Sequence, residues 1–259
     1  MGKIIAIANQ KGGVGKTTTT VNLGAALSDM GKKVLIVDVD PQGNTTSGLG
    51  VDKEKLLATS YEMLLSDLSA EECLFPLPDF KLDLIPSSID LAGAEVELIG
   101  VDKREMLLEK QLKPLKAAYD YILVDCPPSL NVLTINAFRS ADSILVPIQC
   151  EFYAMEGLTQ LINTINLVKK RLNPKIDIEG IVFTMYDSRT NLCNQVVEEI
   201  SSFLPAKVYQ TRIPRNVRLA EAPSFGMPVM YYDKASKGAE AYRDLAKEFD
   251  ERSRKKRGR

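Results

Sequence analysis

Residues 10–17 read Gln-Lys-Gly-Gly-Val-Gly-Lys-Thr, a run whose residue types suit phosphate chemistry. Glycines let backbone N–H groups turn inward and approach phosphate oxygens with no Cβ in the way. A lysine supplies a point charge for β- and γ-phosphates. A threonine hydroxyl can ligate Mg²⁺ whose other positions are phosphate oxygens and water. Gly15, Lys16 and Thr17 match the end of the general pattern G-x-x-x-x-G-K-[ST], while Gln10 stands where its first glycine should be. The spacing therefore marks Gly12, Gly13, Val14, Gly15, Lys16, Thr17 and Thr18 as a nucleoside-triphosphate cradle. The competing reading is a glycine-rich turn with no ligand. Lys11 lies outside the pattern and has two readings, a solvated charge or a second phosphate ligand. Beside Lys16 it cannot easily point into its own loop, so a ligand role means reaching a neighbouring subunit.

Acids that could complete such a site stand at the ends of apolar runs. Tyr-Asp-Tyr-Ile-Leu-Val-Asp125 is a strand-like run ending in a carboxylate, the Walker B form, which can hold Mg²⁺ through a water. Asp38 and Asp40 flank Val39, and period-two alternation puts them on one face. One would act near the metal and the other would orient an attacking water. Gln42, Asn44 and Thr45 follow in what reads as a loop able to move with the γ-phosphate. The bland alternative is that these acids only cap turns. The chain has no histidine, so a histidine base is excluded and a carboxylate is the natural candidate for water activation.

The elements that must carry these groups follow from apolar periodicity. Strands are expected at Ile4–Ala8, Lys33–Asp38, Leu82–Pro86, Tyr121–Asp125, Ser143–Ile148 and Ile178–Met185. Helices are expected at Thr18–Asp29, Tyr61–Leu68, 90–118 with a break near Gly100, from Val132, Tyr153–Leu172, Leu192–Phe203 and Lys237–Arg252. Short extended pieces fall around Val208 and Ile213. Continuous apolar strands alternating with helices mark an α/β fold: a mostly parallel twisted sheet with helices on both faces. Ligands of such sheets bind outside the carboxyl ends of the strands, where Asn9, Asp38, Asp125 and Gln149 stand.

With 259 residues and 45% hydrophobic content, the chain can bury one full core. No linker-like stretch divides it, so residues 1–249 read as a single domain. The net charge of −1 hides an asymmetry, because residues 250–259 carry +4 and leave −5 on the rest. That basic tail reads as disordered, either a frayed solvated end or an arm for polyanions. Cysteines 73, 126, 150 and 193 show no C-x-x-C spacing, and with no histidine a zinc site is not expected. No export signal is read at the start, and no run of about 20 apolar residues would span a membrane. The expected compartment is the cytoplasm.

The stretch Lys11–Thr18, with its additional lysine, resembles the deviant Walker A motif of the ParA/MinD class of P-loop NTPases. Residues 37–44 (Val-Asp-Val-Asp-Pro-Gln-Gly-Asn), 125–130 (Asp-Cys-Pro-Pro-Ser-Leu) and 213–224 narrow the likeness to the chromosomal ParA (Soj) proteins of bacteria. The resemblance runs from residue 1 to about 250. It implies an ATP hydrolase dependent on Mg²⁺ that forms a sandwich homodimer on binding ATP. Lys11 would reach phosphates bound by the partner, and Gly12 would lie where a side chain blocks closure. Lys16 and Thr17 would hold phosphate and metal, Asp40 would activate water, and Asp125 would be the Walker B acid. Pro214, Arg215 and Asn216 would lie near the adenine.

The resemblance also implies DNA segregation. The ATP dimer would bind double-stranded DNA on the nucleoid without sequence preference, through positions matching Arg189 and Arg218. Hydrolysis stimulated by a ParB-type centromere-binding protein would release it. From the residues alone, Arg212, Arg215 and Arg218 recur at three-residue spacing, which on a helix makes a basic face suited to phosphates; a solvated surface with ordinary ion pairs is the equal alternative. With the phosphate loop beginning at residue 11, no N-terminal DNA-reading region is expected.

Two other classes share the phosphate loop. A MinD-type membrane-associated positioning ATPase would end in an amphipathic helix, but residues 251–259 offer no apolar face, so no membrane partner is expected. An iron–sulfur carrier would pair cysteines across a dimer, and only Cys126 lies near the acids. If the phosphate-loop reading holds, Lys16→Ala abolishes ATP binding in a titration with fluorescent nucleotide. Wild-type affinity in that variant would reduce residues 10–17 to a turn.

Overall fold

The fold is given by a computed structural model that describes residues 2–66 and 68–257. Seven strands form one sheet: β1 Lys3–Ile7, β2 Val34–Asp38, β3 Phe75–Leu77, β4 Leu82–Ile85, β5 Tyr121–Asp125, β6 Ser143–Gln149 and β7 Ile178–Thr184. Their spatial order is β3-β4-β2-β5-β1-β6-β7. Only β3 is antiparallel to its neighbour. The sequence reading missed it, because Phe75-Pro76-Leu77 is three residues long and a proline is tolerated only at such an edge.

The helices are α1 Lys16–Asp29, α2 Asn44–Gly48, α3 Ser60–Leu65, α4 Ala94–Glu97, α5 Leu107–Leu115, α6 Val132–Ser140, α7 Ala154–Arg171, α8 Asn191–Phe203, α9 Val217–Glu221, α10 Val229–Tyr232 and α11 Lys237–Arg257. The stretch expected to be helical over 90–118 is broken more often than at Gly100 alone. It holds α4 and α5 between 3₁₀ turns at Ile89–Ala92, Leu98–Gly100 and Arg104–Met106. The extended pieces near Val208 and Ile213 make single bridges, Ile181 with Val208 and Tyr186 with Pro214.

Period-two alternation sorts the strand residues onto two cores. Ile4 and Ala6 of β1, Leu35 and Val37 of β2, and Ile122 and Val124 of β5 face the layer built by α3 and α5–α8. Ile5 and Ile7, Val34 and Ile36, and Tyr121 and Leu123 face α1, α10 and α11. Both faces of the central strands are dry, as parallel pairing requires. The β1–β5 and β2–β5 registers set Ile7 and Asp38 level with Asp125, so three strand ends open onto one edge.

The last helix corrects the reading of the tail as disordered over residues 250–257, since α11 continues to Arg257; residues 258–259 of that reading lie outside the described residues. Its final turns are tied down. Asp250 accepts from the Tyr121 hydroxyl at 2.7 Å and pairs with Lys32 at 3.1 Å and Arg254 at 2.8 Å. The Arg252 guanidinium lies 4.3 Å from the Tyr209 ring centre and donates to the Val208 carbonyl. Ser253 is buried. Composition announced a solvated basic arm, whereas the sheet edge offers these particular residues partners. Ending the chain at Phe249 is expected to cost about 2 kcal/mol, since the Tyr121 hydroxyl and Lys32 lose a shared carboxylate. Urea unfolding measures this; an unchanged midpoint would restore the solvated-tail reading.

Candidate functional site

The phosphate loop leaves β1 through Ala8 and Asn9. The Asn9 amide donates to the Pro147 carbonyl at 2.8 Å, and its oxygen accepts from the Lys11 N–H at 3.0 Å. This anchors the loop to β6 at its start. At its end, the Thr184 hydroxyl at the tip of β7 donates to the Val14 carbonyl at 2.8 Å. Gly13 (φ 73°) and Gly15 (φ 84°) occupy the left-handed region that a Cβ disfavours, which bends the loop around the N-terminus of α1. Two fixed ends and two left-handed glycines hold the loop as a cradle.

Lys16 is buried, and its ammonium donates to the Lys11 carbonyl at 3.1 Å. Burial lowers its pKa, offset in part by the charges of Asp125, Cys126 and Asp40. Among the described residues no carboxylate forms an ion pair with it. A buried cation whose partner is a neutral carbonyl fits a polyphosphate in the loop it spans. Lys11 is disposed differently. Its ammonium turns out of the loop and pairs with Glu151, on the turn between β6 and α7, with both side chains about two-fifths exposed.

Asp125, at the end of β5, is fully buried and carries three hydroxyls. Thr17 donates to Oδ2 at 2.8 Å, Thr45 to the same oxygen at 2.7 Å, and Thr20 to Oδ1 at 3.1 Å. Asp38, level with it on β2, accepts from the Thr46 N–H and hydroxyl at 2.9 and 2.7 Å and from the Asp40 N–H at 3.2 Å. Burial pushes both carboxyls above the ordinary range, and the charge of Asp125 raises Asp38 further. Asp40 lies beyond the strand, with its Oδ1 accepting from the Gln42 N–H at 3.0 Å. Asp38 turns into the protein and braces Thr46, whereas Asp40, past the end of the strand, belongs to a turn, so the two carboxylates have different surroundings.

Asn44 and Thr45, expected with Gln42 in a loop, begin the helix α2, opened by Gly43 in the left-handed region. The sequence marks Thr45 only as part of a loop near the γ-phosphate and gives no site role to Thr46, Thr20 or Thr184. The run Thr17–Thr20 and the pair Thr45-Thr46 were the available signals, but nothing in the sequence said where their hydroxyls point. Thr17 and Asp125 together fit a hydrated Mg²⁺, one as direct hydroxyl ligand and the other through water. No cluster of three acidic, histidine or cysteine side chains surrounds a metal position among the described residues. Cys126 is fully buried and its thiol is held well above its ordinary pKa, chiefly by that burial, so it is not placed to share a cluster across two subunits.

A cleft of about 200 Å³ beside the loop is lined by Thr18, Thr184, Pro214, Arg215, Asn216 and Tyr242, among others. It brings Pro214, Arg215 and Asn216 next to Gly15 and Thr18, as a base pocket would require. A larger crevice, about 430 Å³, beside Lys33, Pro76 and Tyr119 lies at the opposite edge of the sheet, away from these groups. The arginines already have partners. Arg189 forms a two-toothed pair with Asp187 at 2.7 and 2.9 Å. Arg218, in α9, meets Glu221 at 2.8 Å and Asp233 at 3.2 Å. Arg212 lies against the Tyr186 ring. Arg212 and Arg215 precede α9, so the basic helical face suggested by three-residue spacing does not form.

The raised carboxyls of Asp38 and Asp125 set a pH dependence. Each binds its proton more tightly folded than unfolded, so ligand-free stability is highest near the ordinary carboxylate range and falls as pH rises toward neutrality. With no histidine in the chain, few other groups titrate in that window. A slope on the order of 1 kcal/mol per pH unit is expected from urea unfolding between about pH 5 and 7. Nucleotide with Mg²⁺, which favours the ionised form, should flatten it. A flat profile without ligand would contradict the burial of two ionisable carboxyls.

Comparison with known proteins agrees with this geometry. A family model described as an AAA domain matches residues 2–178. The chain is 56% identical to the sporulation initiation inhibitor protein Soj of Bacillus subtilis, covering 96% of this chain and 98% of the relative. It is 52% identical to the chromosome partitioning protein ParA of Myxococcus xanthus, covering 97% and 89%. Among solved structures, cobyrinic acid a,c-diamide synthase from Mycobacterium smegmatis with bound ADP and magnesium superposes with a TM-score of 0.83 at 40% identity, covering 95% of this chain and 93% of that one. With its phosphate loop, its Walker B carboxylate and this likeness over nearly its whole length, the chain belongs to the ParA/Soj family of chromosome-partitioning P-loop ATPases.

Proposed function

We propose that the protein is a partitioning switch: ATP and Mg²⁺ close two copies into a sandwich dimer, the dimer holds nucleoid DNA without sequence preference, and hydrolysis stimulated by a ParB-type partner releases it. Lys16 and the loop N–H groups bind the phosphates, and Thr17 with Asp125 holds the metal, which supplies charge neutralisation at the β- and γ-phosphates. Asp40 orients the attacking water. Pro214, Arg215 and Asn216 flank the base.

Gly12 carries the dimer reading. A Cβ at Gly12 would meet nothing within 4 Å, and its φ lies outside the left-handed region. The space beside Gly12 is therefore open to whatever closes over the loop, a phosphate or a second copy. Lys11 supports the same reading, being directed away from its own phosphate site and held by an exposed pair. Such pairs contribute about 1 kcal/mol or less, so a phosphate of a second copy can displace Glu151.

DNA contact through Arg189 and Arg218 would exchange their present acidic partners for phosphates. That makes affinity depend on salt rather than on base sequence. No described helix is long and apolar enough to cross a membrane. The proposed setting is the cytoplasm, on the nucleoid.

Asp40→Ala is expected to cut hydrolysis by about 100-fold and to accumulate a DNA-bound dimer in ATP. Binding of a random duplex should fall by orders of magnitude between about 50 and 200 mM salt. The checks are phosphate release, light scattering and a duplex titration in ADP and ATP. Normal hydrolysis by Asp40→Ala would sink the catalytic assignment. Equal duplex binding in ADP and ATP would remove the switch, and binding to anionic vesicles without binding to DNA would replace it with a membrane device.

A further inference from the structure

Asp40 does not hold itself in place. It sits in the turn Asp40-Pro41-Gln42-Gly43, closed by a hydrogen bond from the Gly43 N–H to the Asp40 carbonyl at 2.8 Å. Two side chains from other parts of the chain grip that turn. The Ser87 hydroxyl, just past β4, donates to the Asp40 carbonyl at 2.8 Å. The Lys53 ammonium, from the 3₁₀ turn Lys53–Lys55, donates to the Gln42 carbonyl at 2.6 Å. The Gln42 N–H, on the other side of the same residue, is the donor that fixes the Asp40 carboxylate.

The packing is tight on both sides. A Cβ at Gly43 would come within 2.8 Å of Lys53 Cε and Nζ and 3.0 Å of the Ser87 carbonyl. Neither residue is loosely placed. The Ser87 N–H donates to the Thr46 hydroxyl at 2.9 Å, and that hydroxyl donates to Asp38. Lys53 follows Asp52, whose carboxylate is taken up by the Glu54 N–H and by Lys55. The lysine's charge is thereby left for the Gln42 carbonyl, and among the described residues no carboxylate forms an ion pair with it.

We infer that Lys53 and Ser87 are positioning residues for hydrolysis, which together clamp the turn that aims Asp40. Ser87 fixes the main chain of Asp40 from the sheet, and Lys53 fixes Gln42 from the surface. The Gln42 N–H is thereby aimed at the carboxylate. The two grips are unequal by construction. Ser87 is fully buried, whereas Lys53 is only partly buried and its hydrogen bond to Gln42 is open to solvent. Lys53 is therefore the side of the clamp that can open. The inference rests on the reading of Asp40 as the acid that orients water.

The test is single-turnover hydrolysis by the full chain at saturating ATP and Mg²⁺, with nucleotide affinity titrated separately. Lys53→Met and Ser87→Ala are each expected to slow hydrolysis ~10-fold, since small misplacements of a reacting group cost that much or more, while ATP affinity stays within about twofold. Lys53→Arg should recover most of the rate, because a guanidinium can reach the same carbonyl. Lys53 is only partly buried, so Lys53→Met keeps the test valid even if Ser87→Ala folds poorly. Wild-type rates in Lys53→Met overturn the inference. So does a parallel loss of rate and affinity, or failure of Lys53→Arg to restore the rate, since both mean general loosening. Asp40→Ala run alongside separates the two readings: if it hydrolyses normally, the assignment of Asp40 fails and the clamp has nothing to aim.

Discussion

A carboxylate shut away from water at the centre of a parallel sheet is costly unless donors surround it. Asp125 meets that requirement with three threonine hydroxyls from two different elements, Thr17 and Thr20 of α1 and Thr45 of α2. The arrangement binds the phosphate-loop helix and the helix after β2 to the end of β5 through one residue. It also loads the site. Each hydroxyl satisfies the charge, yet burial still pushes the pKa up, so the ligand-free site holds a carboxyl that gains from a nearby cation. The need to satisfy this one group places Thr17, the expected metal ligand, within 2.8 Å of the expected Walker B acid.

A second layer rests on that centre. Asp38 lies level with Asp125 across β2–β5 and would repel it if both were fully charged. Its hydrogen bonds go to Thr46, next to the Thr45 that serves Asp125. The five residues of α2 thus carry adjacent threonines that answer to adjacent strands. Through Ser87, Thr46 also reaches the end of β4. A change at the phosphate site that altered the demand of Asp125 for hydroxyls would be felt at α2, and from there at the turn holding Asp40. The coupling requires no long path, because the strand register has already put the groups side by side.

The parts of this site legible in the sequence are those that neighbouring residues define by themselves. The glycines and lysines of residues 11–16 follow from a local backbone requirement, and Asp125 follows from four apolar residues, Tyr121–Val124, ending in an acid. Parallel topology was legible as well, because strands dry on both faces must read as continuous apolar runs. What escaped depends on tertiary approach. Thr45 looked like a loop residue because Asn44–Gly48 has no helix-forming composition, and its role appears only when β2 and β5 lie in register. Lys53 and Glu151 look like ordinary surface charges until one sits on the Gln42 carbonyl and the other on Lys11. The end of α11 was misread for the same reason: charge composition speaks of solvent, while Asp250 answers to Tyr121, more than a hundred residues away.

The two lysines of the phosphate loop divide along a line that the structure makes physical. Lys16 is buried, has its pKa lowered by that burial, and bonds a carbonyl of its own loop. A cation in that condition is stabilised by an anion arriving in the same cradle, beyond what the nearby charges of Asp125 and Asp40 supply. Lys11 is half exposed and already has an anion, supplied by the turn before α7. It gains from another phosphate only if that phosphate offers more than Glu151 does, and the loop's own phosphates are already the business of Lys16. A buried lysine with no ion pair among the described residues, beside an exposed one with a replaceable partner, is the asymmetry that the proposed sharing of a nucleotide between two copies would use.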